Sequence, residues 1–405
     1  MRTLIEEVEA ILDRRLASRT DAPLTVAFSG GGDSLVLLIL ALEWAGRHDR
    51  RVLALVLDHG LNPDSSAWTR FAAAAAARLG AQVQTLSWDG PKPETGLPAA
   101  ARAARHAVLA QAARALGASV LLMGHTADDR LEAEHMRAEG SSVPDPKTWA
   151  PSPAWPQGRG VSVLRPLINI RRDALRDFLR ARGERWLDDP ANDDPRFARA
   201  RARVALADQE PAPAPADVAE PVAIEGWRES FGALEAEGEV VAAALAAACL
   251  CAAGTTRPPA ATQIARVMAL MERGEDFAAT LAGARVARRG GRLSITRETG
   301  RLQMESLAIA EGETLVWDGR FELKAAGPSL TVRALGGLAS YLPKSQREAL
   351  SKVPIAARPS LPVLVSPDGE VSCPVLAGGS PGATAVSLVM ARFAAACGQV
   401  DFEPS

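Results

Sequence analysis

Residues 24–40 constrain this chain more than any other stretch. Leu24-Thr25-Val26-Ala27-Phe28 is short, apolar and β-type. Ser29, Gly30, Gly31, Gly32, Asp33 and Ser34 follow, and Leu35-Val36-Leu37-Leu38-Ile39-Leu40 then runs on as an apolar helix. Strand, glycine turn and helix start in that order form an anion cradle. Glycines let backbone N–H groups approach oxygens closely, and the helix start adds partial positive charge. Ser29 and Ser34 can donate further hydrogen bonds, and Asp33 can help hold Mg²⁺. No Gly-Lys-Ser/Thr ends the turn, so no lysine of the P-loop kind reaches a β- or γ-phosphate. The turn is not Gly-x-Gly-x-x-Gly either, which disfavours a dinucleotide site. An ordinary glycine-rich turn is the plain alternative.

The flanking segments give the turn a setting. Strands are expected at Leu24–Phe28, Arg51–Leu57, Gln82–Ser87 and Val120–Met123, each followed by a helix: Ser34–Ala45, Ser66–Leu79, Ala99–Leu116 and Asp128–Met136. That alternation predicts an α/β fold, a parallel sheet with helices on both faces. Ligands on such sheets bind beyond the carboxyl ends of the strands, where the motifs below fall. At 405 residues the chain is long enough for two or three domains. The expected division is 1–207 for the α/β domain and 208–220 for a linker marked by Glu210-Pro-Ala-Pro-Ala-Pro-Ala. A mostly helical domain is expected over 221–300 and a small α+β domain over 301–405. Within the helical part, Phe277 to Arg297 reads as two short strands turning at Arg289-Gly290-Gly291. Gly140 to Gly160, rich in Pro, Ser and Trp, reads as an irregular loop.

Three further constellations carry chemistry. The second strand ends in Asp58-His59-Gly60-Leu61, a polar pair placed to face a nucleotide, though a turn reads the same way. In Thr95-Gly96-Leu97-Pro98-Ala99-Ala100-Ala101-Arg102-Ala103-Ala104-Arg105-His106, Arg102 and Arg105 are three apart and share a helix face, which a solvated basic face would also explain. After the fourth strand comes His125-Thr126-Ala127-Asp128-Asp129-Arg130-Leu131-Glu132. Asp129 and Glu132 share a face there, a pair suited to Mg²⁺ or an ammonium group. Acids in a first helical turn are also favoured for their own sake, and Asp128 fits that role.

Ser-Gly-Gly-x-Asp-Ser resembles the pyrophosphate-binding loop of the N-type ATP pyrophosphatases. The other motifs narrow the resemblance. Asp-His-Gly-Leu, Thr-Gly-Leu with Ala-Ala-Arg-Ala-Ala-Arg, and His-x-Ala-Asp-Asp-x-x-Glu are similar, in order and spacing, to those of the tRNA(Ile)-lysidine synthetase family. Leu164-Arg165-Pro166-Leu167, Trp186-Leu187-Asp188-Asp189-Pro190-Ala191-Asn192-Asp193 and Arg199-Ala200-Arg201-Ala202-Arg203 continue the likeness, strong over 24–205 and loose beyond. The family usually has a histidine where Thr126 stands, a glutamine at Arg130 and a threonine at Ala133. It usually has an arginine at Asn62, a glutamine at Pro98 and a tyrosine at His106.

The resemblance implies an adenine nucleotide alpha hydrolase-like fold. It also implies a reaction in which ATP adenylates C2 of a wobble cytidine and lysine displaces AMP to give lysidine. Ser29, Gly30, Gly31, Gly32, Asp33, Ser34, Asp58 and His59 would then bind ATP and its pyrophosphate. Asp33, Arg105, Asp129 and Glu132 would be catalytic, with Asp33 holding Mg²⁺. The partners implied are free lysine and tRNA(Ile) with a CAU anticodon, the tRNA contacting the middle domain as well. Residues 165–203 hold eleven arginines against seven acids. Arg165, Arg171, Arg172, Arg199, Arg201 and Arg203 are the candidates there for tRNA phosphate contacts, against the plainer reading of internal ion pairs.

Composition sets the bounds of these readings. Net charge is −2, so a local patch must carry any nucleic-acid contact, and aromatics at 4% argue against a base-stacking platform. Cys249, Cys251, Cys373 and Cys397 form no C-x-x-C pair, which suits a reduced, cytoplasmic protein. No cysteine precedes Cys249, which weakens a thiolating relative as an alternative. A tRNA-binding homologue without catalysis is the other alternative. The alanine-rich runs at 71–77 and 242–248 are too short and too weakly apolar to cross a membrane. A homodimer is compatible with the sequence, which does not fix the oligomeric state.

Overall fold

The computed structural model describes residues 2–90, 92–141, 143, 146–150, 160–188, 198–206, 209, 221–256, 258–300, 306–327, 329–376, 379–380 and 382–404. Most of the expected loop at 140–160 and nearly all of the expected linker lie outside them. The chain divides into two compact units, one of Met1–Pro151, Gly160–Ala219 and Val400–Ser405, the other of Ser152–Arg159 and Glu220–Gln399.

The first unit holds α1 (Arg2–Arg15), β1 (Leu24–Ala27), α2 (Gly32–Arg47), β2 (Val52–Asp58), α3 (Ser65–Arg78), β3 (Gln82–Ser87), α4 (Leu97–Ala115), β4 (Val120–Met123), α5 (Ala127–Ala138), β5 (Trp149–Ala150), β6 (Ser162–Leu164), α6 (Arg172–Ala181) and α7 (Ala198–Ala205). One sheet runs β3-β2-β1-β4-β6-β5, parallel throughout except for β5. The largely apolar β1 and β2 and the wholly apolar β4 fit strands buried on both faces. β3, at the edge, is mostly polar and stays partly exposed. Leu35 to Ala41 of α2 are all buried, so this helix is enclosed on every side and its start cannot shift freely. The order reverses between β1 and β4, which opens a crevice at their carboxyl ends.

The last residues return to this unit. Glu403 accepts two hydrogen bonds from Arg50, at 2.8 and 2.9 Å, and its own N–H donates to the Arg15 carbonyl at 2.8 Å. Both side chains of the pair are buried. Nothing local in the sequence announces a pair spanning 353 positions.

In the second unit, β7 (Trp227–Ser230) and β8 (Ala233–Ala236) precede α8 (Ala242–Ala252) and α9 (Ala261–Glu272), and β9 (Phe277–Leu281), β10 (Ala284–Arg289) and β11 (Arg292–Arg297) follow. They form an antiparallel sheet, β7-β8-β11-β10-β9. Among its described residues the segment 221–300, expected to be mostly helical, therefore carries two helices and five strands. The turn at Arg289–Gly291 is present, but a second at Ala282-Gly283 splits the expected first strand. Beyond it lie β12 (Leu307–Ile309), β13 (Thr314–Trp317), β14 (Phe321–Ala325), β15 (Leu330–Ala334), α10 (Lys344–Leu350), β16 (Pro362–Val365), β17 (Val371–Ser372), β18 (Ala383–Ser387) and α11 (Val389–Ala396). Their sheets run β12-β15-β16-β17 and β13-β14-β18. Val389 and Phe393 of α11 enter the core of the five-stranded part, so 221–300 and 301–399 cluster as one unit. All four cysteines are free and buried. Among the described residues no helix is long and apolar enough to cross a membrane.

Candidate active site

The turn between β1 and α2 is held by its own serines. The Ser29 and Ser34 hydroxyls lie 3.1 Å apart, Ser34 Oγ donates to the Gly31 carbonyl at 2.9 Å, and Gly31 N–H donates to Ser29 Oγ at 3.3 Å. Gly30 has φ +81°, where a side chain would be strained. Its carbonyl accepts from Leu187 N–H at 2.9 Å, so the segment around Trp186 backs the loop. α2 begins at Gly32 without a side-chain cap, and its first N–H groups point out of the helix, as an anion site requires. Gly124, just past β4, allows the close approach: a Cβ there would lie 3.1 Å from the Asp33 carbonyl carbon and the Ser34 nitrogen.

Beside the cradle stands an acid cluster. Thr126 caps α5: its hydroxyl and its N–H donate to Asp129 Oδ2 at 2.9 and 2.8 Å, a capping box that aims Asp129. Glu132, one turn on, is 2% exposed. Asp128 turns the other way. It accepts the Arg172 backbone N–H at 2.7 Å and pairs with Arg171 at 3.2 Å, which fixes the start of α6 against α5. The Arg172 side chain then enters the cluster, 3.2 Å from Asp33, 3.3 Å from Glu132 and 3.7 Å from Asp129. Arg176 reaches Asp33 at 3.7 Å, and Arg203 of α7 reaches Glu132 at 3.0 Å. Burial pushes the Asp33 carboxyl up, against the opposing pull of Arg172 and Arg176.

A basic group faces the same crevice. Arg165 is buried, donating to His125 Nδ1 at 3.2 Å and to the Lys147 carbonyl at 2.9 Å. Burial lowers its pKa to about 10, with Arg102 and Arg105 adding to the effect. Burial, then Arg105, Arg102 and Arg165, hold His106 down to about 3, and burial with Arg165 keeps His125 well below its ordinary value. These histidines are neutral at pH 7. Burial and Arg105 also lower His59. Arg102 and Arg105 are therefore half-buried members of a cationic wall.

The structure thus brings Asp33, Asp129 and Glu132 together and places Arg105 with His59. Asp58 closes a turn by accepting Gly60 N–H at 2.8 Å. Of the arginines expected to meet tRNA, Arg165, Arg171, Arg172 and Arg203 point to protein partners, Arg201 is exposed, and the Arg199 side chain lies outside the described part. So do the residues after Asp188 in the Trp186 motif. Sequence reasoning missed Arg176, Gly124 and the place of Arg172. The i, i+4 spacing of Arg172 and Arg176 was the available signal.

A phosphate-type cradle and an acid cluster at the reversal point of a parallel sheet define a nucleotide-binding α/β domain, and the PP-loop domain family matches residues 4–210. The chain is 49% identical to a tRNA(Ile)-lysidine synthase of Caulobacter vibrioides, over 98% of this chain and 99% of that one. It is 35% identical to that of Rhizobium meliloti, over 78% and 76%. A solved structure of a U34-tRNA thiolase from Methanococcus maripaludis overlays with TM-score 0.42 and 18% identity, over 51% of this chain and 73% of that one, a likeness too loose to bear on the reaction. The chain belongs to the tRNA(Ile)-lysidine synthase family. It is an ATP-binding enzyme of the PP-loop class.

Proposed function

We propose that this enzyme joins the ε-amine of free lysine to C2 of the wobble cytidine in tRNA(Ile) with a CAU anticodon, consuming ATP and releasing AMP and pyrophosphate. One observation carries the reading beyond family membership. Asp33 belongs both to the phosphate cradle at the start of α2 and to the carboxylate set it forms with Asp129 and Glu132. The leaving pyrophosphate and the incoming amine thereby have adjoining sites.

In the first step the cytidine C2 oxygen attacks the α-phosphate of ATP, and pyrophosphate leaves into the Ser29–Ser34 turn. Arg105, in the cationic wall, stabilises charge on the adenylate. In the second step the amine attacks C2 and AMP departs. Asp129 or Glu132 draws in the ammonium and accepts its proton. The site suits Mg²⁺: Asp33 Oδ1 is buried without a hydrogen-bond partner among the described residues. Mg²⁺ takes one or two carboxylates together with phosphate oxygens, so Asp33 would hold it. Bound there, the ion offsets charge on the phosphates. Contact with tRNA phosphates falls to Arg199 and Arg201 of α7, the latter exposed.

The test incubates purified protein with ATP, Mg²⁺, labelled lysine and tRNA transcripts. Label enters the transcript with a CAU anticodon on the tRNA(Ile) body. No label in any CAU-bearing tRNA overturns the proposal.

A further inference from the structure

The acid cluster already contains a cation, and that cation is part of the chain. Arg172 touches Asp33, Asp129 and Glu132 at once, yet forms no two-pronged pair with any of them. Its contacts, 3.2 to 3.7 Å, are longer than the roughly 2.7–2.9 Å of strong charge-assisted hydrogen bonds. Arg50, in the same unit, grips Glu403 with two bonds at 2.8 and 2.9 Å. The backbone of Arg172 is differently held, because its N–H is fixed to Asp128 at 2.7 Å. The side chain therefore sits on an anchored base with its contacts shared among three acids, and it can leave without moving α6.

We propose that Arg172 is an exchangeable resident cation: its guanidinium occupies the ammonium position among Asp33, Asp129 and Glu132 and yields it to the primary amine of the substrate. The inference rests on the reading of that cluster as an amine site. Guanidinium and alkylammonium are both nitrogen cations that donate N–H bonds to carboxylates. Arg176 on Asp33 and Arg203 on Glu132 partly neutralise the outer members, so a monovalent cation suffices at the centre. The guanidinium keeps three carboxylates compatible while the site is empty, because like charges at such distances repel strongly away from water. It also makes lysine compete for entry, so apparent affinity falls by the fraction of time the position is taken.

The test uses the full chain without ATP or tRNA. Calorimetric titration compares lysine binding to wild type and to Arg172→Ala, with norleucine, which keeps the α-amine but lacks the ε-amine, as control. Arg172→Ala binds lysine about tenfold more tightly than wild type and ignores norleucine. Thermal melts add a second readout. Arg172→Ala melts lower than wild type, n-butylammonium restores it, and wild type does not respond. Unchanged or weaker lysine affinity, or recovery with Mg²⁺ and not with the amine, overturns the proposal. If Arg172→Ala does not fold, Arg172→Gln is titrated in its place. Neither readout needs transfer to tRNA, so failure of the overall reaction and failure of this exchange are separate results.

Discussion

Two arginine clusters, one in each compact unit, are built differently. In the second unit the Arg320 side chain is 0% exposed, and Arg297 and Arg320 share one carboxylate, Asp318. Further donors meet main-chain carbonyls: Gly232 and Ser360 for Arg320, Gly319 and Thr255 for Arg392 at 2.9 and 2.7 Å, and Ala253 for Arg297. In the first unit the part-buried Arg172 faces three carboxylates, with Arg176 and Arg203 on two of them. Carbonyls belong to the backbone and do not move, so the second arrangement ties loops together permanently. Carboxylates are side chains that accept any cation, so the first can be vacated and refilled. The same residue type thus serves fold in one place and, by the proposal above, chemistry in the other.

The largest effect expected from breaking the contrast is on stability. Arg320→Ala leaves the Gly232 and Ser360 carbonyls without their donor and takes from Asp318 one of its two guanidinium partners, at a cost of about 3–5 kcal/mol. Denaturant unfolding checks it, and a midpoint unchanged from wild type would show the carbonyl-tied arginine to be dispensable. Next comes Asp33→Ala, which lowers pyrophosphate release on the order of 10²–10³-fold while the melting curve stays close to that of wild type. A collapse of the melt would mean that Asp33 is as structural as Asp318. Thr126→Val is smaller again. It removes the hydroxyl that caps α5 and aims Asp129, at a cost of about 1 kcal/mol, with a rise in KM for lysine measured beside the melt.

The last effect is a pH slope. His106 sits at about 3 in the folded protein because of burial and the flanking arginines, against 6.5 ordinarily. Below that ordinary value the unfolded chain binds a proton that the folded chain does not. Stability therefore falls as pH drops from about 6.5 toward about 3. Tm measured from pH 7 to pH 4 falls less steeply in His106→Asn than in wild type.

Much of the first unit was legible because its signals are short-range. Parallel strands such as Val120–Met123 are unbroken apolar runs, and the Ser29–Ser34 turn announces itself by composition. Asp129 and Glu132 were found from helical spacing. Arg172 was read with the surface arginines because only the docking of α6 by Asp128 turns it inward. The Arg50–Glu403 pair joins opposite ends of the sequence and has no local mark. In the middle segment, β7 and β8 are short and carry Arg228, Glu229 and Glu235 beside Trp227 and Leu234. The alanines of α8 outweighed them in a reading by composition.

The account stands on a cradle that holds the two outer phosphates of ATP while AMP is transferred. Parallel reactions with ATP labelled at the α- or the γ-phosphate, each with lysine and a CAU-bearing tRNA(Ile), test this most directly. Labelled AMP in the first and labelled pyrophosphate in the second, both dependent on the tRNA, are the predicted result. Labelled ADP and inorganic phosphate in their place would contradict it.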